Sequence, residues 1–219
     1  MADEPRGLAR ARQRRLREHF RLIDDGVAPV VAAYREHIQC ARGCSSCCSQ
    51  SFSITEVEAE ALVEGLERLD EAERAGILAR ARDHREGDAC PVLTATGACQ
   101  LYEDRPRICR KYGIPLWNPE RPERVDTCAL NFREVADLDP QLIVEPQAAW
   151  ATDWIDLRRS LGLGPAQRKS IAVWLAEAAD PRRRLSGPPE SGPISTARVD
   201  CERAGRARDR DERADETLK

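Results

Sequence analysis

Cys40-Ala-Arg-Gly-Cys44-Ser-Ser-Cys47-Cys48 places four thiols within nine residues, and the rest of the chain reads outward from this stretch. So dense a run does not fill a core, because a core wants spaced, bulky apolar side chains. Disulfides and metal remain. Cys47 and Cys48 are neighbours, and a bridge between them is strained. Cys44 to Cys47 is a C-x-x-C step, the spacing at which a tight turn aims two thiolates at one ion. Metal ligation is the better reading.

Composition agrees with it. A hydrophobic fraction of 41% and a charged fraction of 33% in 219 residues describe a soluble chain with a modest core. A formal net charge of -3 gives no reason to expect attraction to nucleic acid or a membrane surface. The N-terminus has no apolar h-region and no run approaches membrane-spanning length, so the expected compartment is the cytoplasm, where thiols stay reduced. Nine cysteines, an odd number, suit a disulfide framework poorly.

Four regions follow along the chain. Residues 1–26 read as an Arg-rich helical arm, and residues 27–133 as the cysteine-cluster, metal-binding domain. Residues 134–180 read as helices packing on it, and residues 181–219 as a disordered tail rich in Pro, Gly, Ser, Arg and Asp that contains Cys201 as a bystander. Ala9 to Arg21 is helical with Leu16 and Phe20 at helical spacing. Asp25 is the expected N-cap of a second helix, with Pro29 in its first turn. Thr55 and Glu58 form a capping box, Asp70 and Glu73 another, so Thr55 to Arg85 is a helical hairpin. Trp150, Trp154, Leu157 and Leu161 make one stripe of a helix over 146–161. Ile171, Trp174 and Leu175 make another over 165–179, both read as core rather than as a cofactor platform.

Between the two cysteine sets the pattern changes. Cys90 to Tyr102 has two β-prone runs about a turn at Gly97, a small hairpin with a cysteine near each strand. A metal held between those strands would supplement a hairpin that is marginal alone. Asp104 is read as a cap, Pro106 as a first-turn residue and Gly113 as the stop of a short helix bearing Cys109. Its N-terminal partial charge, with Arg105, Arg107, Arg110 and Lys111 beside it, would favour thiolate, and Arg42, Arg105, Arg107 and Arg110 would offset the negative charge of a four-thiolate site. Ile114 to Arg124 is a Pro-rich loop leading to Cys128. The fold class is therefore mainly α with a small β-hairpin, an irregular cysteine-rich core wrapped by helices.

Eight candidate ligands result: Cys40, Cys44, Cys47, Cys48, Cys90, Cys99, Cys109 and Cys128. They suffice for two four-thiolate sites or one polynuclear centre, and sulfur-only ligation selects zinc or iron, including an iron–sulfur cluster, over magnesium or calcium. His37 is read as a helix-surface histidine rather than as a ligand.

Cys44-Ser-Ser-Cys47-Cys48, the helix start Thr55-Glu56, Cys90-Pro91-x-Leu93 and Gly97-x-Cys99-x-Leu101-Tyr102-Glu103-x-Arg105-Pro106-x-x-Cys109-Arg110 resemble the YkgJ-type cysteine cluster proteins. This is the CxxCxxCC zinc- or iron-chelating family, and the similarity covers about Cys40 to Cys128. Cys40 to Cys44 is C-x-x-x-C where the family name implies C-x-x-C. The resemblance implies eight cysteine ligands and a metal-binding protein, zinc or iron left open. Because related domains occur in flagellin lysine N-methylases, an iron–sulfur enzyme modifying protein side chains is the alternative. A zinc-scaffolded module binding protein or nucleic acid through the Arg-rich arm is the second. The residues themselves leave the enzyme question open: no glycine-rich loop follows a strand, and three histidines offer little acid–base chemistry. The expected partner is a metal ion, not a membrane, with nucleic acid disfavoured and any protein partner unspecified.

Overall fold

In the computed structural model, residues 4–118, 121–144, 148–163 and 167–180 are described. The tail with Cys201 lies outside them. Six helices carry the fold: α1 (Glu4–Ala33), α2 (Glu56–Glu67), α3 (Glu71–Asp83), α4 (Arg107–Lys111), α5 (Ala149–Ser160) and α6 (Ile171–Ala178).

α1 is one helix where two were expected, and Asp25 caps nothing. Its 30 residues extend about 45 Å at the α-helical rise. Pro29 removes one backbone bond. The apolar stripe nevertheless runs on through it: Leu16, Phe20, Ile23, Val27 and Val30 are all buried. Tertiary packing outweighs the local break signal. Gly26 takes part by having no side chain, since a Cβ there would lie 2.5 Å from Cζ3 of Trp150. Trp150 thereby seats among Ile23, Val27, Val30 and Ile114.

α2 and α3 form the expected helical hairpin. The Thr55 amide and hydroxyl both donate to the Glu58 carboxylate, at 3.0 and 2.8 Å, and Asp70 accepts from the Glu73 amide at 2.8 Å. Two short strands were not anticipated. β1 (Ser53–Thr55) pairs antiparallel with β4 (Arg168–Ser170), Ser53 facing Ser170 and Thr55 facing Arg168. Thr55 and Ser170 are the N-caps of α2 and α6, so one three-residue ladder launches both helices. α6 consequently starts at Ile171, later than expected.

The loop after Gly113 is also more ordered than expected. β2 (Leu116–Trp117) pairs antiparallel with β3 (Val125–Asp126), and Val144 bridges to Leu116. The expected hairpin at 90–102 has one antiparallel bridge, Leu93 to Cys99.

The main core joins Ile54, Leu62, Leu66, Ile77, Val92, Leu101, Ile171, Trp174 and Leu175. Indole Nε1 of Trp174 donates to the Ile54 carbonyl at 3.1 Å. A second cluster joins Leu16, Phe20, Val57, Ala61 and Leu157. The tryptophan helices are core, as read. The hairpin also rests on this apolar base through Val92 and Leu101, so it does not stand alone.

Candidate metal centre

All eight described cysteines are free thiols. The cluster segment curls through a 3₁₀ turn (Ser46–Ser49), and the hairpin closes against it: the Cys90 amide donates to the Cys48 carbonyl at 2.8 Å. On the other side of the turn, a Cβ on Gly97 would lie 2.9 Å from the Gly43 carbonyl, so the two loops touch. Thiols about fifty residues apart in sequence thus share one region.

The thiols fall into two neighbouring groups. Cys109 has its thiol pushed up by burial first, then by Cys90, Cys47 and Cys99. Burial pushes Cys90 up to about 11, with Cys99 and Cys47 adding to it. Cys47 is raised by its hydrogen bond with the Cys48 thiol, then by burial. Burial also raises Cys99. In the outer group, Cys40 is raised by burial, then by Cys128, Cys44 and Cys47. Cys47 therefore acts on both groups.

Backbone and amide N–H groups aim at several of these sulfurs. Val92 and Leu101 amides donate to Cys90 and Cys99, lowering each thiol pKa against the effect of burial. The Leu130 amide stands 3.5 Å from Sγ of Cys128, and Nδ2 of Asn131 stands 3.4 Å from Sγ of Cys40. Three of the four donors are the amide two residues beyond the cysteine. An N–H donor stabilises sulfur in its charged form.

Asn131 was missed in the sequence, where nothing distinguishes it. It is 4% exposed. Its amide oxygen accepts from the Gln39 N–H at 2.9 Å and its nitrogen donates to the Gly113 carbonyl at 3.0 Å, which fixes the side chain with nitrogen toward Cys40. Gly113, at φ +97°, lies in the same corner: a Cβ there would meet Asn131 Nδ2 at 3.0 Å, Cys128 Cβ at 3.1 Å and Cys40 Sγ at 3.5 Å. The His37 carbonyl accepts from the Phe132 amide and its ring faces Tyr34.

The cations near Cys109 behave otherwise than expected. Of the arginines on this segment only Arg105 lowers thiol pKa values, at Cys47, Cys99 and Cys109. Arg107 turns away: its amide donates to Glu58, its Nε to Nε2 of His19 at 2.8 Å, and its guanidinium covers Trp154. Arg110 pairs with Asp24 and covers Phe20. Both therefore dock α4 onto α1. α4 has only five residues, too short for an appreciable dipole, and burial wins at Cys109. Asp104 is not a cap either. Its buried carboxylate binds Arg17 at 2.8 Å and Arg68.

Among the described residues, no three His, Cys, Asp or Glu side chains stand close enough to hold an ion as placed. The donor chemistry fits zinc or iron, since thiolate is the preferred ligand of both structural zinc and iron–sulfur centres. Closing on an ion requires the thiols to move together.

A helix-wrapped domain with two abutting groups of free thiols is a cysteine-cluster domain. Residues 39–129 match the family model CxxCxxCC, described as "Putative zinc- or iron-chelating domain", and that segment is similar to this family. The match takes in all eight candidate cysteines; α1, α5 and α6 lie outside it. No curated protein and no solved structure matches the chain significantly. Among the described residues, no helix is long and apolar enough to cross a membrane.

Proposed function

We propose that this protein holds zinc or iron in a polynuclear thiolate centre with two lobes. Cys47, Cys48, Cys90, Cys99 and Cys109 supply the inner lobe, Cys40, Cys44 and Cys128 the outer one, and Cys47 serves both. The observation that carries the reading is the set of N–H donors facing Cys40, Cys90, Cys99 and Cys128. Burial makes Cys40, Cys90 and Cys99 resist ionisation, yet the N–H donors at these three favour the anion, and a bound cation is what reconciles the two. The bound metal supplies positive charge that holds converging thiolates together. The protein's own residues bring the loops into reach, orient the sulfurs through Asn131 and the amides, and exclude water. Eight unpaired thiols also suit a reducing compartment, in line with a cytoplasmic protein.

The test is metal analysis of protein purified without oxygen, with variants. Cys47→Ser should lose metal from both lobes, Cys109→Ser mainly from the inner lobe and Cys128→Ser from the outer, whereas Cys201→Ser should retain it all. Equal metal content in all four variants would overturn the assignment. Visible absorption with acid-labile sulfide identifies an iron–sulfur centre; colourless protein with stoichiometric zinc identifies zinc.

A further inference from the structure

Between the end of α3 and α6 lies a cleft of about 590 Å³, whose walls include Arg82, Val173 and Glu177. Beneath it is a chamber of about 30 Å³ bordered by Cys48, Cys90 and Cys109. Four residues border both spaces: Ser51, His84, Ser170 and Ala172. The chamber is about the size of one water molecule or one ion. His84, just past the end of α3, is half-buried at this junction and belongs to neither the cysteine motif nor the core. Among the described residues its ring has no hydrogen-bond or ring partner.

We propose that the cleft is the port through which metal enters and leaves the inner thiol lobe, with His84 as the transit ligand at its throat. This rests on the thiolate-centre reading above. An imidazole is a ligand of intermediate strength for zinc and iron, weaker than a group of thiolates, so it can accept an ion from solution and yield it to sulfur. Each thiol that engages the incoming cation releases its proton to water. The outer lobe needs no such route, because Cys40 lies on an exposed segment. Inner and outer lobes should therefore exchange at different rates.

Two measurements on the full-length chain separate the port from the metal reading. In the first, metal is stripped by chelator under reducing conditions, and alkylation by iodoacetamide is followed cysteine by cysteine with mass spectrometry. Ser51→Trp, a substitution at an exposed wall position, should slow labelling of Cys48, Cys90 and Cys109 several-fold and leave Cys40 unchanged. Unchanged rates at the three chamber thiols, or an equal slowing at Cys40, overturn the port. In the second, zinc-loaded protein is challenged with excess EDTA. His84→Ala should leave zinc stoichiometry intact and slow zinc release from the inner lobe several-fold, while alkylation of the stripped protein is not slowed. Release at the parental rate refutes the transit role. A chain that binds no metal would refute the thiolate centre and the metal port with it, whereas a chain that binds zinc but shows no Ser51→Trp labelling effect would refute the port alone.

Discussion

Gly113→Ala is the substitution that most directly examines the corner joining Cys40, Cys128 and Asn131. Two costs apply. At φ +97° any side chain is strained, by about 1–3 kcal/mol. The new methyl also presses on Asn131 Nδ2 at 3.0 Å and Cys128 Cβ at 3.1 Å, both tight contacts in a packed corner, and overpacking of this kind adds about 1–3 kcal/mol. Gly87 separates the terms, for its φ is +91° and a Cβ there meets nothing within 4 Å. Gly87→Ala reports strain alone. Gly113→Ala should be less stable than Gly87→Ala by about 2 kcal/mol, roughly 4–8 °C in melting temperature for a chain of this size. Only Gly113→Ala should lose metal from the outer lobe. Calorimetry of both variants with metal analysis reads both quantities. Equal melting temperatures and equal metal content would show that the Gly113 corner is not packed against the cysteines as described.

Three further outcomes are expected. Asp104→Asn leaves Arg17 and Arg68 without their shared buried carboxylate; both arginines reach water, so the loss should be about 1–3 kcal/mol by thermal melting, and an unchanged melt refutes the bridge. His19 is fully buried between Asp153 and Arg107, and burial holds its pKa below 6.5, so the neutral ring is the native form. Its contribution is complete above the unfolded pKa of about 6.5 and is lost as pH falls toward the lower folded value. Melting temperature followed from pH 7.5 downward should therefore fall more steeply in the parent than in His19→Gln; parallel curves refute this. Chelation should increase hydrogen exchange across residues 40–52 and 90–131 while leaving helical circular dichroism largely intact, because the main core contains no fully buried cysteine. Cooperative loss of the helices on chelation would show that metal holds the whole chain.

Much of the local structure was legible because its causes are local. The capping residues Thr55 and Asp70 fix where α2 and α3 begin, and the spacing of Trp150, Leu157, Trp174 and Leu175 marks the faces they bury. The eight cysteines were legible as a set by count, spacing and motif. Where the reading failed, distant residues decided. Pro29 looked like a break, but Trp150, more than a hundred residues away, packs against the same helix face on either side of it. Arg107 and Arg110 looked like counter-charges for Cys109 until His19, Glu58 and Asp24 on other helices claimed them.

The sequence alone determined the chemistry: soft sulfur donors at ligand spacing, helix starts set by capping, and apolar stripes that demand burial. These follow from residue type and separations of a few positions. Tertiary structure alone decided that the Cys48 and Cys90 segments meet, that Asn131 orients Cys40, and that His84 stands between a cleft and three sulfurs. Such juxtapositions come from how helices and loops pack across the chain. Nothing in the local pattern around Asn131 or His84 encodes which distant side chain will lie against it.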